Sequence, residues 1–72
     1  MPKELPSALE AEASLLGTMM VYPGSARLAI EEGLQPDDFF SEANKDIFVV
    51  CRELFQEGTV VDITSVSTRL QD

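Results

Sequence analysis

Leu9, Ala13, Leu16 and Met20 recur at three- and four-residue steps, with Leu15 and Met19 widening the stripe, and this spacing predicts a helix over residues 8–21 with one apolar face. Glu10, Ser14 and Thr18 fall on its other sides. Ser7 followed by Glu10 has the form of a capping box, in which the hydroxyl and the carboxylate each accept from a backbone N–H that the first turn leaves free. Residues 1–6, with two prolines and two charges, predict an extended arm, and residues 7–72 a helical head domain. Gly17 costs a helix about 1 kcal/mol relative to Ala, which predicts close approach of a second backbone there.

Tyr22-Pro23-Gly24 breaks the pattern, and Ser25 caps a short second helix in which Ala26, Ala29 and Ile30 face one way. Gly33 stands where a left-handed glycine ends a helix, and Leu34 is placed to fold back as the accompanying apolar contact. Gln35-Pro36-Asp37-Asp38 then predicts a tight turn or a single helical turn, with the aspartates as turn and cap residues. Of the adjacent Phe39 and Phe40, one is expected in the core and the other over a seam, because neighbouring side chains diverge.

Ser41 caps a third helix whose Ile47, Phe48, Cys51, Leu54 and Phe55 form the stripe of a core-facing element, with Val50 at its edge. Gly58 terminates it, and the breadth of its apolar surface predicts that it is central. After the β-branched link Thr59–Val61, Asp62 caps a last helix with Ile63, Val66 and Leu70 on one face. The loops are short and no segment suits a sheet, so the pattern predicts an all-α bundle of about four to five short helices. Its predicted core comprises Leu9, Ala13, Leu16, Met20, Ile30, Phe39, Ile47, Phe48, Cys51, Leu54, Phe55, Ile63, Val66 and Leu70, and its predicted caps are Ser7, Glu10, Gly33, Ser41, Gly58 and Asp62.

Charge narrows the class of partner. The chain of 72 residues carries 13 acids against 5 bases, a net charge of −8. Lys3, Arg27, Lys45, Arg52 and Arg69 are scattered singly, so no basic stripe exists to meet a phosphate backbone, and direct nucleic-acid binding is not expected. Cys51 is the one cysteine and cannot form an internal disulfide, and the start of the chain lacks the apolar run of a signal peptide. Apolar runs fall far short of the roughly 20 residues that cross a bilayer. A cytoplasmic protein is the expectation.

Chemistry is limited in the same way. Histidine is absent and cysteine single, which removes the ligand set for zinc and any Ser-His or Cys-His nucleophile. No phosphate-binding loop with its Gly-Lys-[Ser/Thr] ending occurs, so no ATPase site, catalytic residue, metal or cofactor is expected here. Glu31-Glu32 and Asp37-Asp38 lack the alternating pattern of a calcium loop and read as solvated or capping groups. Cys51 lies on the apolar stripe of its helix and reads as a small buried hydrophobe, and Met19 and Met20 as gap-filling core.

Several of these pieces stand in a characteristic order: Glu10-Ala11-Glu12 and Leu16-Gly17 in the first helix, Pro36-Asp37-Asp38-Phe39-Phe40, Ile47-Phe48, and Gly58-Thr59-Val60-Val61-Asp62-Ile63. Together they resemble the amino-terminal domain of the DnaB-type replicative DNA helicases, from Leu5-Pro6 to Leu70. The resemblance implies the helical head of that domain, which in the family is followed by a helical hairpin, a linker and a RecA-like ATPase. It implies a non-catalytic interaction domain contributing to the hexamer collar and to contacts with primase and helicase loader, with ATP and Mg confined to the ATPase domain. One departure stands out: where the family commonly carries His and a basic residue before Ile-Phe, this chain has Asn44-Lys45-Asp46, so a role for that imidazole is not implied. Two other readings stay open, a free-standing adaptor or decoy that engages a replication partner and the helicase-binding domain of a primase.

Overall fold

The computed structural model describes residues 5–22 and 24–72, with side chains from Ala8 onward. Four helices follow in order, α1 (Leu5–Val21), α2 (Ser25–Glu31), α3 (Glu42–Gln56) and α4 (Ile63–Gln71), with a 3-10 turn at Pro36–Asp38. No strand occurs among these residues, and the architecture is all-α.

The helix boundaries follow local chemistry. Ser41 Oγ accepts from the Asn44 N–H at 3.2 Å to open α3, and Asp62 Oδ1 accepts from the Ser65 N–H at 2.8 Å to open α4. α2 and α3 both close with paired hydrogen bonds around a left-handed glycine. Gly33, at φ 98°, donates to Ile30 O at 3.1 Å while Leu34 donates to Ala29 O at 3.2 Å. Gly58, at φ 80°, repeats this with Phe55 O and, through Thr59, Leu54 O. In the 3-10 turn the Gln35 N–H donates to Asp38 Oδ2 at 2.8 Å. The N-cap of α2 is Gly24 at φ 88°, and Ser25 is the first helical residue instead of the cap.

The start of α1 corrects the sequence reading. Leu5 and Pro6 are helical and not part of an extended arm, and Ser7 lies inside the helix instead of capping it. Proline is tolerated there because first-turn N–H groups have no intrahelical acceptor to lose. Glu10 is exposed on the following turn, while residues 1–4, the Ser7 side chain and Pro23 of the expected breaker lie outside the described residues. On α1, Leu16 and Met19 are buried and Leu9, Glu12 and Met20 half-buried, so the inward face departs from the predicted row at Ala13, which is exposed. Nor does another backbone approach Gly17, where an added Cβ would meet nothing within 4 Å.

Packing centres on α3, which meets α1, α2, α4 and the 3-10 turn. Its Phe48, Val50, Cys51 and Leu54 are buried together with Leu16, Met19, Ala26, Phe39 and Val66. The rings of Phe39 and Phe48 lie 5.1 Å apart and tilted by 31°, within the range where aromatic quadrupoles attract. Met20, Ala29, Ile30, Leu34, Ile47 and Val61 are half-buried against this cluster, and Leu9 and Phe55 are also half-buried. Phe40 covers no seam; it is 64% exposed.

Ile63 and Leu70, placed in the core by the sequence, are exposed. α4 leans chiefly on α3, and the inward stripe of a helix with one main neighbour is narrow, here Ser65, Val66 and Arg69. Arg69 reaches Glu57 Oε1 and Oε2 at 2.9 and 3.0 Å and lies 3.8 Å from Glu53. This fork geometry holds the Glu57 carboxyl below its usual range, first through the Arg69 hydrogen bond.

Candidate partner-binding surface

Two turns set the candidate surface. At the end of α1 the Tyr22 N–H donates to Thr18 O, and Ser25 then donates back to Tyr22 O, so the chain reverses through Gly24. This leaves Val21 and Tyr22 facing outward. Across from them, the glycine stop at Gly58 directs Thr59 and Val60 into solvent before Val61 returns to the core and Asp62 begins α4.

Between these turns lies an open groove of about 500 Å³ lined by Met19–Tyr22, Gly24, Ala26, Arg27, Phe55 and Thr59–Asp62. Met19 and Ala26 are buried within it, whereas Tyr22 is 63% and Val60 68% exposed. Its two charged side chains are already engaged, Arg27 with Glu31 at 3.0 Å and Asp62 with its own helix. What remains available is apolar surface with the hydroxyls of Tyr22 and Thr59. Such a surface suits protein contact, with Tyr as the kind of rigid amphipathic anchor that interfaces favour. In the sequence Tyr22 belongs to the Tyr22-Pro23-Gly24 breaker and Val60 to the Thr59–Val61 link, neither of which marks a surface. The available signal was three large apolar residues, Val21, Tyr22 and Val60, in or beside turns where no helical face could absorb them.

A second arrangement joins α1 to the start of α3. The Glu12 carboxylate accepts from the Phe40 N–H, from the Ser41 N–H at 3.3 Å and from Asn44 Nδ2 at 3.0 Å. The Asn44 hydrogen bond, assisted by the two backbone N–H groups and by Lys45, holds the Glu12 carboxyl below its ordinary value against opposing desolvation. The position where the resemblance left a histidine unaccounted for is therefore filled by an amide that binds α1. An inward acid is invisible to a search for apolar stripes.

The remaining candidate groups are not gathered into a reactive constellation. Burial pushes the Cys51 thiol up to about 11, far from a nucleophilic thiolate. Asp38 serves the 3-10 turn, Asp37 and Glu32 are exposed, and Glu31 pairs with Arg27. Among the described residues no three His, Cys, Asp or Glu side chains group as metal ligands would, and no helix is long and apolar enough to cross a membrane.

The sequence matches the DnaB-like helicase N terminal domain over residues 4–72. The chain belongs to this family. Among replicative DNA helicases, the chain is 34% identical over 65 residues to "Replicative DNA helicase DnaC" of Bacillus subtilis, covering 90% of this chain. It is 35% identical over 68 residues, 94% of the chain, to "Replicative DNA helicase DnaB" of Buchnera aphidicola. Against the protein of the same name in Pasteurella multocida it is 31% identical over 67 residues, 93% of the chain. The chain spans 14% of the length of each of these relatives. No solved structure gives a significant match.

Proposed function

We propose that this DnaB-like head is a non-catalytic protein-contact module of a replicative helicase, contributing to the hexamer collar and to contacts with primase or the helicase loader. In this reading ATP and Mg act in a separate ATPase domain, and the head works in the cytoplasm through partners instead of through DNA. The observation that carries it is the Val21–Tyr22–Val60 groove, apolar on a chain of net charge −8. Family membership supplies the replication context, and the charge opposes a phosphate-binding role.

The test is calorimetric titration of the chain with the primase of its own host, alongside sedimentation equilibrium for self-association. Tyr22→Ser combined with Val60→Ser removes the exposed apolar groups without touching the buried cluster. The reading expects the double variant to weaken primase binding or self-association at least tenfold, a loss of about 1.4 kcal/mol, with helical circular dichroism unchanged. Binding within twofold of the native chain overturns the groove as the contact surface.

A further inference from the structure

At the other end of α2 from the groove, Leu15, Ala29 and Leu34 line a shallow depression of about 360 Å³ completed by Gly33, Glu32 and Asp38. Leu15 is partly exposed at 38%, and Glu32 and Asp38 are both exposed. The depression therefore joins aliphatic surface to two carboxylates and no base.

The charges there are not balanced from within. Among the described residues neither Glu32 nor Asp38 pairs with a base: Arg27 is held by Glu31, Lys45 by Glu42, and Arg69 by Glu53 and Glu57. Arg52 lies over the Phe48 ring and donates to Gln35. α2 carries no base in its last turn, so Glu31 and Glu32 sit at the negative end of its dipole. Acids at that end are unfavourable to the helix, and an external cation relieves the repulsion.

We propose that this depression docks a basic amphipathic helix of another protein, one aliphatic side chain entering between Leu15, Ala29 and Leu34 while flanking Lys or Arg residues pair with Glu32 and Asp38. Charge complementarity selects this occupant. A second copy of this chain, with 13 acids against 5 bases, offers this depression no basic stripe, whereas a basic helix is steered by the field of the whole domain. The site is separate from the Tyr22 groove and stands whether or not that groove binds.

The test uses the full chain and two labelled synthetic helical peptides, one with a leucine stripe flanked by lysines and one with glutamates in place of the lysines. Fluorescence anisotropy is expected to show saturable binding of the lysine peptide only, weakening by about tenfold or more as salt rises from low to well above physiological strength. Amide shifts are expected to centre on Leu15, Glu32 and Leu34. Glu32→Gln with Asp38→Asn, which keeps an acceptor for the Gln35 N–H, is expected to weaken binding about tenfold with helicity unchanged. Leu15→Ser tests the apolar contact independently and is expected to weaken it as well. The proposal is overturned by absence of saturable binding, by equal binding of the glutamate peptide, by shifts centred on Tyr22 and Val60, or by variants that bind within twofold of the native chain.

Discussion

Replacing Phe48 by Leu probes the hub of the fold while keeping it apolar. Phe48 is fully buried, stacks obliquely on Phe39 at 5.1 Å and carries the Arg52 guanidinium 5.9 Å from its ring. Phe to Leu is a modest large-to-small change, and the lost burial with the small void left behind costs about 1 kcal/mol. The lost aromatic pair adds about 0.5–1.5 kcal/mol, and the exposed cation contact about 0.5 kcal/mol. A total of about 2 kcal/mol is large for a chain of 72 residues, because native stability runs at roughly 0.05–0.15 kcal/mol per residue. The corresponding fall in Tm is roughly 10 °C. Urea denaturation followed by helical circular dichroism gives the stability directly, and a cycle with Phe39→Leu isolates the ring pair. Phe40→Leu is the control, expected within about 0.5 kcal/mol of the native chain because its ring is exposed. A cost for Phe48→Leu below about 0.5 kcal/mol, or additivity of the Phe39 and Phe48 changes to within about 0.3 kcal/mol, refutes the reasoning.

Glu12 makes stability pH-dependent: its folded value lies below the ordinary 4.5, so its contribution is present above the unfolded value and is lost as pH falls through the folded one. Glu12→Gln should flatten the acid limb of a pH titration of Tm, and an unchanged limb would show that the carboxylate is not tied to Phe40, Ser41 and Asn44. Two glycine-to-alanine changes should act in opposite directions, each read from chemical denaturation. Gly17→Ala stabilises by about 0.5–1 kcal/mol, since the helical position has open space beyond it. Gly58→Ala destabilises by about 1 kcal/mol through its left-handed φ of 80°. Cys51, with its thiol pushed up to about 11, should resist alkylation at mildly alkaline pH in the native chain and label rapidly in denaturant; equal rates would contradict its burial.

The parts of the fold that were legible in the sequence are those governed by local rules. Ser41 and Asp62 accept from the third residue after them, and Gly33 and Gly58 supply the positive φ that closes a helix, as their neighbours alone suggest. The α3 stripe was readable because polar residues interrupt it on the other side. α1 was less so. Leu9, Ala11, Ala13, Leu15, Leu16, Met19, Met20 and Val21 cover most of its circumference, and a helix apolar nearly all round does not announce its inward face. Its rotation is decided by Glu12, whose donors lie 28 to 32 residues away. On α4, Arg69 is half-buried and paired with Glu57 on the side toward α3, while Ile63 and Leu70 are exposed. Both misplacements arise where a charged side chain wins a place that periodicity assigns to an apolar one. The groove is illegible for a related reason: Val21 ends α1 while Tyr22 and Val60 lie outside the helices, and only the three-dimensional path brings them together.

The central claim, that this DnaB-like domain acts through protein contact at the Tyr22–Val60 groove, is tested most directly by following backbone amide shifts of the isotope-labelled chain as unlabelled host primase is added. The account predicts saturable shifts concentrated at Val21, Tyr22, Thr59 and Val60, with the buried helix α3 little affected. Saturable shifts that leave these four residues unmoved, or spectra unchanged across the titration, would contradict it.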